Sequence, residues 1–147
     1  PINWRGLGIG LAVSVLYFVV VFAVEKFYSN RTLTPLLHAS ASAWLVTLAQ
    51  VFFSPISEEI FFRGFVLPQL MDRMSFWKAN MIQAILFTAT HWPNWIWVNS
   101  FQAWIIVTSI SIFILALFLG WLLRRTNSIW PPIVVHVVNN FLTSFAR

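Results

Sequence analysis

Glu58 and Glu59 are adjacent, and Arg63 follows four residues after the second. The chain has only four acidic residues in 147, and two of them lie in the otherwise apolar stretch from Ser54 to Arg63. A charge at mid-bilayer costs roughly 2.5–3.5 kcal/mol even on permissive insertion scales, so this cluster must face protein or water rather than lipid. On a helix, Glu59 and Arg63 share a face and can pair. Glu58 is turned about 100° away and is left without a local partner. A carboxylate of that kind beside a small hydrated cavity is a candidate general base. The plainer reading is a buried ion network that holds helices together.

Two histidines and an asparagine extend the chemistry. His136 and Asn140 are spaced i and i+4 within an apolar helix and project the same way, with Asn139 on a neighbouring face. By themselves they can be interhelical glue. His91 lies at the end of an apolar segment, one turn after Phe87, close to Trp92, Trp95 and Trp97; alone it reads as an interfacial anchor. His38 sits near a helix start with no companions and reads as structural. Taken together, Glu58, His91, His136 and Asn140 supply a base, a group to orient water and neutral donors for an oxyanion.

Other chemistries lack their residues. There is no H-E-x-x-H, no G-x-S-x-G and no pair of intramembrane aspartates. Ser57 adjoins the glutamates but faces elsewhere on a helix. The glycines from Gly6 to Gly10 lack the strand context of a nucleotide loop, and their GxxxG spacing suits helix packing instead. Cysteine is absent, which removes disulfides and thiolate chemistry together.

The elements that carry these groups are apolar helices. The chain is 59% hydrophobic and 9% charged, with mean hydropathy +0.79. Soluble domains carry about 25% charged residues, so this is a membrane protein. Its length allows one all-α transmembrane bundle of about five to six helices. Residues 1–49 read as N-terminal transmembrane helices and 50–147 as a core carrying the chemistry. The expected segments are Leu7–Val24, Leu36–Phe53, Ile56–Met71, Ala79–His91, Phe101–Leu123 and a last helix from Trp130 to about Phe145. Glu25–Thr34 is expected as a loop ending at Pro35, Ser54-Pro55 as a break or kink, and Asp72–Lys78 as a polar turn.

The net charge of +5 is scattered over loops rather than clustered, which points to anionic lipid headgroups and not to nucleic acid. Orientation depends on Ser54-Pro55. Two spans there put Lys26, Arg31, Arg73, Lys78, Arg124 and Arg125 on one side, against Arg5 and Arg147, whereas a single crossing favours the opposite face. The start at Pro1, without methionine, suggests a piece of a longer protein. The compact, Trp-rich chain has a bacterial look, which implies a plasma-membrane location.

At these residues the sequence resembles the CPBP family of CaaX prenyl proteases, abortive-infection proteins and bacteriocin-processing proteins. Glu58-Glu59-Ile60-Phe61-Phe62-Arg63 matches the motif E-E-x-x-x-R and is followed by Gly64. Phe87 to His91 matches F-x-x-x-H, and His136 to Asn140 matches H-x-x-x-N. The stretch from Gly120 to Pro132 has the look of that family's connector. The likeness covers about residues 50–144.

The resemblance implies an intramembrane glutamic endopeptidase acting on a membrane-associated peptide or protein. By that carry-over Glu58 activates water with help from His91, His136 and Asn140 stabilise the oxyanion, and Glu59 and Arg63 brace the site. No cofactor is expected. Zinc is the competing possibility, disfavoured because Asn140 is a poor zinc ligand and a good oxyanion donor. The alternatives are a non-catalytic immunity or scaffold protein that keeps the motifs as glue, and a proton-coupled carrier that titrates Glu58.

Overall fold

In an apolar environment each backbone N–H and C=O must find a partner within its own segment, so long apolar runs become helices. A computed structural model describes residues 4–29, 40–99 and 103–144, and among them there is no strand. The helices are α1 (Trp4–Ser29), α2 (residues 41–71), α3 (Phe76–Ala89), α4 (Trp92–Asn99), α5 (Ala103–Thr126) and α6 (Trp130–Ser144). Within α2, Trp44–Met71 is long and apolar enough to cross a bilayer, as is Ile105–Thr126 within α5. The helix start expected at Pro35 lies outside the described residues, as do His38, Arg31, Phe101 and Arg147.

The distribution of side chains is that of a membrane bundle. Large apolar groups point outward on α1 (Ile9, Leu16, Val19), α2 (Leu45, Phe53, Ile60) and α5 (Ile106, Ile110, Ile114). Glu59, Arg63, Asn80 and Gln83 are fully buried. A soluble monomer does not expose apolar surface on that scale while hiding its charges. α6 is the central helix, packed against α1, α2 and α5, while α3 packs along α5 and against α2.

Three segment boundaries differ from the sequence expectation. α1 continues to Ser29, so residues 25–29 of the expected loop are helical. Hydropathy marks the apolar part of a helix and not the length of its hydrogen-bond ladder. α3 begins at Phe76 and shortens the polar turn after Asp72, with Ser75 extended at its entrance. It ends at Ala89, which leaves His91 in the turn before α4 and not on a helix.

The third difference bears on the site. Ser54-Pro55 does not break the chain, because α2 runs on through it. Proline lacks the N–H that an α-helix needs and crowds the carbonyl four residues back. The backbone accommodates it with a π-turn at Ala49–Phe53, in which Ser54 N–H donates to Ala49 O. The same device recurs at Phe62–Val66, where Leu67 N–H donates to Phe62 O and Pro68 comes next.

Small residues set the helix separations. Gly6, Gly10 and Ser14 form one buried stripe on α1. A Cβ at Gly10 would lie 2.6 Å from Val135 Cγ2 and 3.0 Å from Leu122 Cδ2, so only glycine lets α1 approach α6 and α5 this closely. Gly120 on α5 faces the Asn80 amide of α3, whose Nδ2 donates to Leu117 O at 2.9 Å. At the end of α5, Asn127 takes a left-handed conformation (φ 49°) that asparagine tolerates. The prolines of Trp130-Pro131-Pro132 then fall in the first turn of α6, where their missing N–H groups cost nothing.

A methyl group at position 120 would overlap the Asn80 amide. Gly120→Ala is therefore expected to destabilise the protein by about 1–3 kcal/mol, the usual cost of overpacking. Thermal unfolding in detergent measures it, and an unchanged midpoint would show that the α3–α5 contact is looser than described.

Candidate active site

The middle of α2, Ser54–Phe61, lies between the two π-turns and carries both glutamates. One helix position separates them, and their surroundings differ sharply. The Glu59 side chain is fully buried, whereas Glu58 is 27% exposed at the wall of a cavity. π-turns in membrane helices belong where the irregular backbone faces protein or a polar cavity, and this one does.

Glu59 pairs with Arg63 as the i,i+4 spacing requires, Nη1 to Oε1 at 2.9 Å. Arg63 also donates from Nη2 to Ala116 O on α5 at 3.1 Å, and its guanidinium lies 4.6 Å from the Phe87 ring centroid on α3. The same Glu59 oxygen accepts from His136 Nδ1 at 2.7 Å. A carboxylate can only accept, so Nδ1 carries the proton and Nε2 is left to face the cavity. There it stands 3.8 Å from Glu58 Oε2. That is too long for a direct hydrogen bond and a span that one water bridges.

Glu58 has a local partner after all. Ser54, one turn earlier on α2, donates its hydroxyl hydrogen to Glu58 Oε1, which leaves Oε2 toward His136. The i,i+4 rule that gave Glu59–Arg63 would have found this bond too. It went unseen because serine carries no charge to draw the eye. Ser57, discounted as a nucleophile, is exposed and donates to Ser54 O.

His91 is held by its own helix end: Nδ1 donates to Phe87 O at 2.9 Å, so neutral Nε2 is an acceptor. Its ring lies between Phe87 (centroids 5.1 Å apart) and Trp95 (5.5 Å). Asn140 donates from Nδ2 to Gln50 O at 3.1 Å. An amide nitrogen has two hydrogens, so one remains.

Glu58, His91, His136 and Asn140 all line one cavity of about 440 Å³, together with Asn94 and Asn139. A second cavity of about 520 Å³ shares Ser54, Glu58, His91 and Asn94 with the first and is otherwise walled by Phe61, Phe62, Thr90 and Trp95. The two meet at Glu58. The structure therefore brings the four expected residues to one space, and Glu59 and Arg63 lie directly behind them. Asn94 and the Gln50 carbonyl were not foreseen. Nothing in their local spacing announces them.

The described residues contain no cluster of three or more His, Asp or Glu side chains arranged to hold a metal ion. The arrangement can hold a water against a carboxylate and offer donors on the other side.

Comparison with known proteins adds three findings. Residues 39–142 match a family described as Type II CAAX prenyl endopeptidase Rce1-like. Over 131 residues the chain is 24% identical to a Bacillus subtilis (strain 168) protein named "Putative membrane peptidase YdiL"; the alignment covers 89% of this chain and 47% of that protein, so the chain spans about half the relative's length. No solved structure matches.

Removing one partner of a buried ion pair leaves a bare charge, at a cost of about 3–5 kcal/mol. Arg63→Ala is expected to lower the unfolding temperature sharply, while Glu58→Gln, at the cavity wall, changes it little. Equal losses would mean that Glu58 is part of the structural network.

Proposed function

Because the chain belongs to the Rce1-like family of type II CAAX prenyl endopeptidases, within the CPBP group, we propose that it is a multi-pass membrane endopeptidase in which Glu58 activates water. The single observation that carries this reading is the shared cavity wall: a partly exposed carboxylate 3.8 Å from an imidazole whose other nitrogen is anchored by a buried glutamate.

The chemistry follows from the donors and acceptors. Water lies against Glu58 Oε2, with His91 Nε2 as a second acceptor that orients it. As the water oxygen bonds to the substrate carbonyl carbon, its proton passes to Glu58 and the carbonyl oxygen becomes an oxyanion. Asn140 offers its second amide hydrogen to that oxygen. The same role falls to His136 at Nε2, the ring nitrogen that Glu59 leaves facing the cavity. When the C–N bond breaks, the leaving amine takes the proton held by Glu58. Glu59 and Arg63 do not touch substrate; they fix the ring of His136. Oriented donors of this kind are worth more in a site shielded from bulk water.

This route needs no metal. Glu59 Oε1 is already shared by Arg63 and His136, and amide nitrogen is a poor zinc ligand. The substrate is proposed to be a membrane-associated peptide or protein, and the location a bacterial plasma membrane, in keeping with the Bacillus relative. The competing reading is a non-catalytic membrane protein in which the ion network is only structural. The complete burial of Glu59 and Arg63 favours that role for those two residues, but not for Glu58.

Glu58→Gln is expected to reduce cleavage of a membrane-embedded peptide by roughly 10²–10⁴-fold, the usual contribution of a general base, while the protein still accumulates in the membrane. Full activity in that variant would overturn the reading. Activity of the wild type is expected to survive chelators; loss under chelation with recovery on adding zinc would replace the metal-free route.

A further inference from the structure

Cations that the sequence scatters over separate segments come together in space. The long helix α5 fixes the directions of its neighbours. Gly10 of α1 lies against Leu122, whereas Tyr17 lines the first cavity beside Leu115, so α1 runs antiparallel to α5. Phe76 of α3 packs near Leu123 and Phe87 packs on Ala116, so α3 is antiparallel too. Leu67 of α2 meets the Leu123 level and Phe62 the Ala116 level, so α2 runs with α5. Val135 near the start of α6 packs with Leu122, while Ser144 at its end lines the cavity with Ser111. The start of α1, the turn from α2 to α3, the end of α5 and the start of α6 therefore share one end of the bundle. That end carries Arg5, Arg73, Lys78, Arg124 and Arg125, all exposed, with Asp72 as the one carboxylate among the described residues there. Trp4, Trp77 and Trp130 are exposed around it, and the Arg124 guanidinium lies 4.4 Å from the Phe76 ring centroid.

The Glu58 cavity lies toward the other end. Its lining takes Thr108 and Ser111 from the first half of α5, Thr143 and Ser144 from the last turn of α6, and Asn94 from α4. Ser111 precedes Arg124 by thirteen residues, and Glu58 precedes the end of α2 at Met71 by the same number. At 1.5 Å per residue each interval spans about 20 Å. Half the hydrocarbon thickness of a bilayer is about 15 Å. With the basic end in one headgroup layer, the reacting groups lie past the midplane.

We propose that the basic end is a docking surface for anionic lipid headgroups, which holds it in the cytoplasmic leaflet and places the Glu58 cavity in the outer half of the membrane. Headgroup phosphates only accept hydrogen bonds, which arginine and lysine supply, and tryptophan rings settle at the same level. The cytoplasmic leaflet is the one that carries anionic lipid and favours basic loops. Lys26 lies beside Glu25 near the far end of α1, and Arg31 and Arg147 fall outside the described residues. One consequence rests on the function proposed above: the substrate presents its scissile bond in the outer leaflet, as a translocated membrane peptide does. The orientation itself does not depend on that reading.

A sequence without cysteine gives a clean background for thiol labelling. Ser75→Cys marks the basic end, and Asn94→Cys marks the wall common to both cavities; each position is exposed. In bacterial spheroplasts treated with a membrane-impermeant maleimide, Asn94→Cys is expected to label at once and Ser75→Cys only after permeabilisation. The reverse pattern overturns the proposal, as does labelling of both positions from one side. If Asn94→Cys fails to accumulate, Trp97→Cys on the outer face of α4 replaces it. The headgroup contact is tested in vesicles. Replacing part of the phosphatidylcholine by phosphatidylglycerol is expected to raise the unfolding midpoint of the wild type. The triple variant Arg73→Gln, Lys78→Gln and Arg125→Gln, which spares the Arg124–Phe76 contact, is expected to show no such rise. A wild type indifferent to phosphatidylglycerol overturns the docking surface. Neither measurement needs cleavage, so a wild type that cleaves nothing removes the peptidase reading and leaves the orientation to be decided by the labels.

Discussion

One carboxylate oxygen organises this protein. Glu59 Oε1 receives both Arg63 Nη1 and His136 Nδ1, at 2.9 and 2.7 Å, with no solvent exposure at Glu59 or Arg63. An unpaired charge in so dry a place is strongly disfavoured, so the three groups must stay together. They come from α2 and α6, and the guanidinium extends the network to α5 through Ala116 O and to α3 through the Phe87 ring. Four helices are thereby tied at a point that no lipid chain can replace. Apolar packing between membrane helices discriminates poorly against slippage, because lipid offers a similar environment. A buried ion network of fixed geometry does discriminate.

The same network sets the position of the neighbouring group. Glu58 is adjacent to Glu59 in the chain, so once Glu59 faces inward, Glu58 is rotated to the cavity wall. His136 is pinned through Nδ1 and has only Nε2 to present. The fold and the site are therefore one structure. Ser54 completes the arrangement by occupying Glu58 Oε1 and leaving the other oxygen toward the imidazole. The two cavities that share this wall differ in character: one is rich in amides and hydroxyls, and the other is flanked by Phe61, Phe62 and Trp95.

Much of this was legible beforehand, and the failures are instructive. Hydropathy located α1, α3, α5 and α6, and i,i+4 spacing gave Glu59–Arg63, since both depend only on local geometry. The stretches either side of Ser54-Pro55 form one helix instead of two, and α4 was not among the expected segments. The ends of α1 and α3 were misplaced because charged and polar residues continue a helix without marking it. Ser54-Pro55 was read as an interruption because proline removes an α-helical bond. The alternative, a π-turn that lets the helix continue, depends on what the displaced carbonyl finds nearby. Here it finds Asn140, ninety residues along the chain.

Sequence by itself determined the membrane character, the helical architecture and the identity of the polar groups, since hydropathy, helical period and residue chemistry are properties of short stretches. Only the tertiary structure decided which polar groups meet. The pairing of His136 with Glu59 joins residues 77 positions apart, and nothing local favours it over a pairing with Glu58. Helix packing chose between them: α6 lies against the middle of α2, with His136 Nδ1 on the buried Glu59 and Nε2 turned toward Glu58. The i,i+4 spacing to Arg63 marks Glu59 as the paired glutamate, but that His136 joins it there, and that Glu58 then faces a cavity, follows from how α6 meets α2.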